Sequence, residues 1–411
     1  MTPAIRQRRN ALFVMFLLPG LGISSWVTRT PDVQTLLSAR IDQMGFILFG
    51  LSVGSMIGIL SSGPLVARLG TRPVIAVGTL ASAIGVAVVG LGAALGMAPV
   101  VALGLALFGF GMGSGEVGLN VEGAEVEQAL GRSVMPLMHG FFSLGTVVGA
   151  IAGMLLTAAA FPVGTHLAVV GAIIVVGLAL AIRNVPAGVG RRAVVRDRAR
   201  EAPRATAGAR TPVWKDPNLL LVGGIILALA MAEGTANDWL PLVMVEGHGF
   251  DAALGSAVYA IFAASMTVGR FVGGWFVDRF GRAAVLAASS LLGALGLAVV
   301  IFVDSQIAAA AAVVLWGLGA SLGFPVALSA AGDSGDDTAA RVSFAATIGY
   351  IAFLVGPPVL GLLGEQFGLR SALIVVMALV AVAIFLAPGA RTPAERELKA
   401  AEREAKAAAR G

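Results

Sequence analysis

The chain has 411 residues, of which 57% are hydrophobic and only 12% are charged, with a net charge of +5 at pH 7. Soluble domains carry about 25% charged residues, and a water-facing surface this poor in charge would be more apolar than a soluble monomer tolerates. The composition therefore excludes an ordinary soluble protein, and the absence of cysteine excludes disulfides, thiolate chemistry and cysteine-ligated metals.

The first apolar segment follows a basic start. Three arginines precede a run that begins at Ala11, an arrangement shared with signal peptides. No small-residue cleavage site closes the run clearly, and the pair Pro19-Gly20 interrupts it. We expect an uncleaved first transmembrane helix.

Apolar segments of membrane-spanning length continue along the chain. A spanning helix needs about 20 mainly apolar residues. Such segments occur as six, then a polar stretch, then six more, at 11–29, 43–66, 73–95, 98–120, 135–158, 163–182, 218–243, 253–277, 283–303, 306–330, 341–363 and 369–388. The predicted fold class is an all-α membrane protein with twelve transmembrane helices.

The positions of the basic residues test this count. With both termini inside, cytoplasmic segments hold 24 of the 28 lysines and arginines, and the outside loops hold only Arg29, Arg40 and Arg370. Such an excess is typical of cytoplasmic loops. The pattern predicts a multi-pass protein of the bacterial inner membrane with both termini in the cytoplasm.

The predicted segments divide the chain into four parts. Residues 1–182 and 218–388 each contain six predicted helices, and 183–217 is a cytoplasmic linker rich in Arg, Ala, Pro and Gly. Residues 389–411 form a tail in which Thr392 begins a capping pattern. We expect a solvated cytoplasmic helix in this tail.

Predicted helix seven carries acids, which are expensive inside a membrane and mark functional sites there. Glu233 and Asn237 lie one turn apart on one face, and Asp238 follows them. We predict that Glu233 is a coupling-proton site and that Asn237 contacts solute hydroxyl groups. Asp238 is either a further proton site or an interfacial residue that meets outside water.

Predicted helix four repeats this pairing with Glu116 and Asn120, again one turn apart. Glu116 is either a second proton-coupling carboxylate or inner-gate partner, or a carboxylate paired with Arg132 or another cytoplasmic arginine. Asn120 is a candidate solute contact. Three acids continue past the expected helix end and are predicted to be solvated: Glu122, Glu125 and Glu127.

Further candidate solute contacts come from helix five and from the aromatic residues. His139 titrates near physiological pH in its free form and lies one turn before Ser143, although a satisfied polar role is the alternative for His139. Stacking surfaces for a sugar or a flat drug are predicted at Trp26, Tyr259, Phe324 and Tyr350. The pair Phe324-Pro325 also predicts a bend in helix ten, and hence a moving gate element.

A short motif after helix two is repeated after helix eight. Its residues are Gly63, Arg68 and Arg72 in the first copy, and Gly274, Asp278, Arg279 and Arg282 in the second. This pair of loops resembles the repeated signature loop of the major facilitator superfamily. The first copy departs from the pattern, with Ala67 in place of Asp and Thr71 in place of an Arg. In the second copy we expect Asp278 to accept from an arginine of the loop and from the first N–H groups of the next helix. Arg270, eight residues before Asp278, is assigned to the charge network of this loop, with contact to an anionic solute as the alternative.

The resemblance implies two pseudo-symmetric six-helix bundles with a solute site between them and alternating access by rocking. Trp26 and Trp239 occupy matching positions in helices one and seven, near the outer ends where aromatic belts occur. Three stretches, 138–145, 233–239 and 349–358, are similar to the fucose-permease-like bacterial branch. That branch includes proton-coupled sugar symporters.

The predicted function is secondary active transport of a small polar, sugar-like solute, with proton-coupled symport. The alternative is a proton-coupled exporter of drugs or metabolites, and a third hypothesis is a transport-dead sensor or lipid-handling protein. Expected partners are the solute, protons and the lipid bilayer. We expect a monomer without cofactor, metal or nucleic acid, and no enzyme activity, because no catalytic triad or phosphate loop appears in the sequence.

Overall fold

The computed structural model describes residues 3–131, 134–191, 213–335 and 337–391. Every regular element within these ranges is a helix. The α-helices are α1 (Pro3–Val27), α2 (Thr30–Leu37), α3 (Ile41–Leu69), α4 (Thr71–Ala94), α5 (Ala98–Leu130), α6 (Met135–Ala158), α7 (Val163–Ala181), α8 (Pro217–Leu242), α9 (Ala252–Phe280), α10 (Arg282–Phe302), α11 (Gln306–Ser321), α12 (Gly323–Gly332), α13 (Thr338–Phe367) and α14 (Leu369–Leu386).

Twelve segments of the described residues are long and apolar enough to cross a membrane, which confirms the predicted fold class. The short helix α2 is the one α-helix outside them, and α11 and α12 together form the tenth span. Because the number of spans is even, the first and last described residues, Pro3 and Arg391, lie on one side of the bundle. We call this the terminal side and the opposite side the far side.

The bend predicted in the tenth span is present where α11 gives way to α12. Helix α11 ends at Ser321 and α12 begins at Gly323. Pro325 has no backbone N–H, and its ring would clash with the carbonyl of Ser321 in a continuous helix. Phe324 is half buried, and a Cβ atom on Gly349 of α13 would lie 2.6 Å from its ring. The bend therefore sets Phe324 against α13.

Helix α5 extends to Leu130, well beyond the predicted end at 120. Glu122 therefore lies on the helix, where its side chain is completely buried. Its carboxylate accepts hydrogen bonds from Arg8 Nε at 2.7 Å and from Thr71 Oγ1 at 2.6 Å. The prediction of a solvated Glu122 was wrong, because the basic start of α1 supplies a partner that the local sequence does not show.

The other two acids beyond the predicted helix end differ from each other. Glu127 accepts hydrogen bonds from the backbone N–H groups of Val134 at 2.7 Å and Met135 at 2.9 Å. It thereby satisfies donors at the start of α6 and is not a simple solvated charge. Glu125 is exposed, as predicted.

The start of the predicted linker packs against the first signature loop. The Thr71 N–H donates to the Val189 carbonyl at 2.8 Å, and Arg191 Nε donates to the Arg68 carbonyl at 3.0 Å. Residues 192–212 of the linker, tail residues 392–411 with Thr392, and Arg132 lie outside the described residues. These contacts give the first loop partners from the linker where its own sequence departs from the motif.

The two halves meet on the far side. Arg40 Nε lies 3.2 Å from the carboxylate of Glu365, which also accepts from the Ile41 N–H at 3.1 Å. Ser256 Oγ donates to the Thr28 carbonyl at 2.7 Å. These contacts join α3 to α13 and α1 to α9, and they close the far end of the interface between the halves.

Glycine allows part of this closure. A Cβ atom on Gly45 would lie 2.9 Å from the Pro357 carbonyl oxygen, and one on Gly361 would lie 2.9 Å from Gly45 Cα. Real Cβ atoms do not approach backbone so closely, so α3 and α13 meet here because both positions lack a side chain.

Candidate functional site

An ion pair lies within the membrane-spanning part of the second half. Arg270 Nη2 on α9 donates to Glu233 Oε1 on α8 at 2.8 Å, and the two side chains are 31% and 16% exposed. The assignment of Arg270 to the signature-loop network was wrong. Arg270 lies about 12 Å along α9 from Asp278, whereas Glu233 on the adjacent helix lies within hydrogen-bonding distance.

Glu116 faces this pair from the first half. Its side chain is exposed, yet it interacts electrostatically with both Arg270 and Glu233. The exposed carboxylate therefore points into a cleft between the halves and not toward lipid. Glu116 has no ion-pair partner among the residues that the structure describes, and the alternative partner Arg132 lies outside them.

Polar and aromatic groups surround Glu116. Asn120 lies one turn further along α5, and its buried Oδ1 has no hydrogen-bond partner in the described ranges. Tyr350 on α13 is half buried and interacts electrostatically with Glu116. Both predicted contacts are therefore near the carboxylate.

His139 also reaches the charged cluster, from α6. Its side chain is exposed and interacts electrostatically with Arg270, and its ring packs edge-on against Phe16 with centroids 5.1 Å apart. Ser143, one turn further on, is buried. Of these two predicted solute contacts, His139 therefore reaches the cluster in this structure, whereas Ser143 is covered by protein.

The remaining predicted residues of α8 have different surroundings. Tyr259 Oη donates to Asn237 Oδ1 at 3.0 Å, so this amide oxygen already has a partner inside the second half. Tyr259 itself is buried and interacts electrostatically with Glu233 and Asp238. Asp238 is only 8% exposed, so it is not the water-exposed interfacial residue of the alternative interpretation.

The two matching tryptophans are buried and do not form an aromatic belt. Trp26 and Trp239 have almost no exposed surface, and neither indole Nε1 has a hydrogen-bond partner in the described part of the chain. The belt prediction was wrong because α1 and α8 are the most buried of the spans. Trp26 does not line the cleft in this structure.

The second signature loop forms a different ion pair from the one expected within it. Arg282 pairs with Asp333 at 2.6 Å, whereas Asp278 is exposed and has no ion-pair partner among the described residues. Arg279 lies over the Phe280 ring at 5.8 Å. The expectation of a pair made by Asp278 was therefore wrong, since Asp333 beyond α12 supplies the acid.

The glycines of the two signature loops have open surroundings, because a Cβ atom on Gly63 or Gly274 would meet nothing within 4 Å. Arg68 is exposed and Arg72 is half buried. Neither arginine forms a salt bridge with a described residue.

Sequence reasoning missed one large contact between the halves. A Cβ atom on Gly140 of α6 would lie 2.8 Å from the ring of Phe271 on α9. Phe271 directly follows Arg270, so the intramembrane arginine was the signal that could have drawn attention to this position. This close approach places α6 beside the charged cluster.

Comparisons with known proteins agree with this architecture. The Major Facilitator Superfamily model matches residues 11–347 and 258–410. An uncharacterized MFS-type transporter of Yersinia pestis is 30% identical over 90% of this chain and 92% of its own length. Membrane protein MosC of Rhizobium meliloti is 24% identical, over 90% of this chain and 86% of its own.

Solved structures share the fold at lower identity. A mutant of the nucleoside transporter NupG superposes with a TM-score of 0.73 at 14% identity, covering 94% of this chain and 99% of that one. The D-xylose-proton symporter gives 0.70 at 14%, covering 93% and 97%. The fucose:proton symporter FucP of E. coli gives 0.63 at 19%, covering 93% and 98%.

Proposed function

Because the chain belongs to the major facilitator superfamily, whose members are transporters and not enzymes, we propose that it moves a small polar, sugar-like solute by alternating access with proton-coupled symport. The ion pair between Arg270 and Glu233, faced by Glu116 across the cleft, carries this proposal. Proton symporters for fucose and xylose share the fold. The membrane would be the bacterial inner membrane.

The charged cluster offers a physical link between protonation and movement. While Glu233 is ionised, it holds Arg270 within the second half. A proton on Glu233 removes that attraction and leaves Arg270 to interact with Glu116, which belongs to the first half. Charge attraction is strong where water is scarce. Protonation of Glu233 therefore favours an arrangement in which the two halves approach each other around Arg270 and Glu116.

Transport by purified protein in liposomes tests the proposal. We expect an inward proton gradient to drive accumulation of a labelled sugar. Glu233→Gln is expected to abolish this accumulation while retaining exchange of solute across the membrane, because the neutral side chain no longer titrates. Glu246→Gln is the matched control, since Glu246 is an exposed acid of the same span. Uptake insensitive to both the proton gradient and Glu233→Gln would contradict proton coupling.

The same vesicles separate symport from proton-coupled export. Symport requires proton and solute gradients to support each other in one direction, whereas an exporter exchanges its solute for protons. We expect solute addition alone to carry protons into the vesicles. Proton release on solute entry would favour the exporter.

We also propose that the terminal side is cytoplasmic, since the basic residues concentrate there. Reporter enzymes fused after Arg391 and at the loop before α2 are expected to show opposite locations. A cytoplasmic location for both fusions would contradict the orientation.

A further inference from the structure

The charged cluster contains a second acid besides its ion pair. Arg270 is held by Glu233 at 2.8 Å, so these two charges compensate each other. Glu116 has no such partner among the described residues, although it lies within the electrostatic reach of both. The additional basic group at the cluster is His139, which is neutral at pH 7 unless its surroundings favour protonation.

We propose that Glu116 and Asn120 bind an ammonium group of the solute, so that the solute is a small polar molecule carrying a primary amine. This inference rests on the proposed transport function and names the class of solute for the same cleft. A carboxylate accepts hydrogen bonds and donates none when ionised, whereas an ammonium group offers three donors and no acceptor. The two groups are therefore complementary in both charge and hydrogen bonding.

Asn120 supplies a second acceptor in the right place. It lies one helical turn from Glu116 on the same face of α5. Its Oδ1 is buried and has no hydrogen-bond partner in the described ranges. Buried polar atoms in folded proteins are almost always paired, and this oxygen is an acceptor available to a donor that reaches Glu116. An ammonium group can satisfy both.

The neighbouring groups favour a cation over an anion. An anionic solute would meet the carboxylates of Glu116 and Glu233, and Arg270, which interacts with both, is paired with Glu233 while that acid is ionised. Tyr350 interacts electrostatically with Glu116, and aromatic rings attract cations that approach their faces. Hydroxyl groups of a neutral solute can donate to Glu116 but leave its charge uncompensated.

Binding to purified full-length protein tests the inference with three matched hexoses. Glucosamine carries an ammonium group, glucose is neutral and glucuronate is an anion. Putrescine serves as a second amine without a sugar ring. A ligand that binds the folded state raises the unfolding temperature, and the increase grows with the logarithm of the ligand concentration relative to its Kd. Each probe is titrated against the wild-type protein, Glu116→Gln and Glu125→Gln, where Glu125 is an exposed acid on the same helix.

We expect an amine probe to stabilise the wild-type protein at concentrations about tenfold lower than glucose or glucuronate. Glu116→Gln is expected to remove this preference and Glu125→Gln to keep it. A preference for glucose or glucuronate, an amine preference that survives Glu116→Gln, or no stabilisation by either amine would overturn the inference.

The test also separates the inference from the proposed function. Proton-driven uptake of a neutral sugar that depends on Glu233 but shows no amine preference would retain symport and reject amine recognition. Selective amine binding that depends on Glu116, without any proton-linked uptake, would retain amine recognition and reject proton-coupled transport.

Discussion

Replacement of Glu122 by glutamine tests the buried network at the terminal side of the first half. The carboxylate is completely buried and ion-paired with Arg8, whose side chain is 17% exposed. It also accepts from Thr71 Oγ1 at 2.6 Å. Glu122→Gln keeps the shape and one acceptor oxygen but removes the charge, leaving Arg8 without its counter-charge.

The expected loss follows from this geometry. Removing one partner of a buried ion pair costs about 3–5 kcal/mol. Arg8 retains some contact with water, and glutamine can still accept from Thr71. We therefore expect the free energy of unfolding to decrease by about 2–3 kcal/mol, less than the full cost. One kcal/mol shifts the unfolding temperature by about 2–4 °C in a unit of 150–250 residues. A decrease of about 5–10 °C is therefore expected for the first half.

Thermal unfolding of the detergent-purified variants measures this effect. Glu125→Gln is the matched control, because Glu125 is an exposed acid on the same helix and exposed substitutions change stability by less than about 0.5 kcal/mol. The double variant with Arg8→Gln is expected to lose less than the sum of the single losses. Equal unfolding temperatures for Glu122→Gln and Glu125→Gln would refute the network.

Three further predictions concern the far side. Ser52 lies on α3, and its Oγ donates to the Phe353 carbonyl of α13 at 2.8 Å. Glu365→Gln weakens the exposed contact between these two helices, so a cysteine introduced at Ser52 is expected to react with an impermeant maleimide up to about fivefold faster. An unchanged rate would contradict this role of Glu365. Gly361→Ala is expected to slow solute exchange, because the added Cβ meets the backbone of α3. Gly293→Ala is the control and is expected to retain the wild-type exchange rate, because the atom nearest to its added Cβ lies at 3.4 Å. Equal exchange rates for the two variants would contradict the packing argument. Burial lowers the pKa of His248. The unfolded state therefore binds a proton first as the pH falls, and the stability of the folded protein decreases below about pH 6.5. His248→Gln is expected to show a smaller decrease in unfolding temperature between pH 7.5 and 5.5 than the wild-type protein, and an equal decrease would contradict this assignment.

The sequence was sufficient to predict the twelve spans, because apolar length is a local property of the chain. The bend at α11–α12 was predictable for the same reason, since Pro325 removes a backbone donor wherever it occurs. The end of α5 was not predictable in this way. Glu122 is buried in this extension of the helix, where Arg8 neutralises its charge and Thr71 donates a hydrogen bond to it. Both partners are distant in sequence.

The acids of the candidate site could be selected from sequence, but which of them faces the cleft could not. Glu116, Glu233 and Asp238 stood out as charges within apolar segments. Which of them faces the cleft depends on the rotation of α5 and α8, and scattered glycine and alanine make the apolar faces of these helices nearly uniform. The same uniformity concealed the burial of Trp26 and Trp239.

The pairing of Arg270 with Glu233 was predictable from the charges in the sequence. A lone arginine within a span is costly, and so is a lone glutamate in the preceding span. Adjacent spans of opposite charge lower both costs by pairing, whereas a signature-loop partner for Arg270 would leave Glu233 unpaired. Arg29 follows the same rule at the far side, where it is buried and donates to Asp32 at 2.8 Å and to His166 Nδ1 at 3.0 Å. Glu116 and Asp238 are the acids of the candidate site that this rule leaves without an ion-pair partner among the described residues. For Glu116, which faces the cleft, a charged solute is a partner that neither the sequence nor the fold needs to contain.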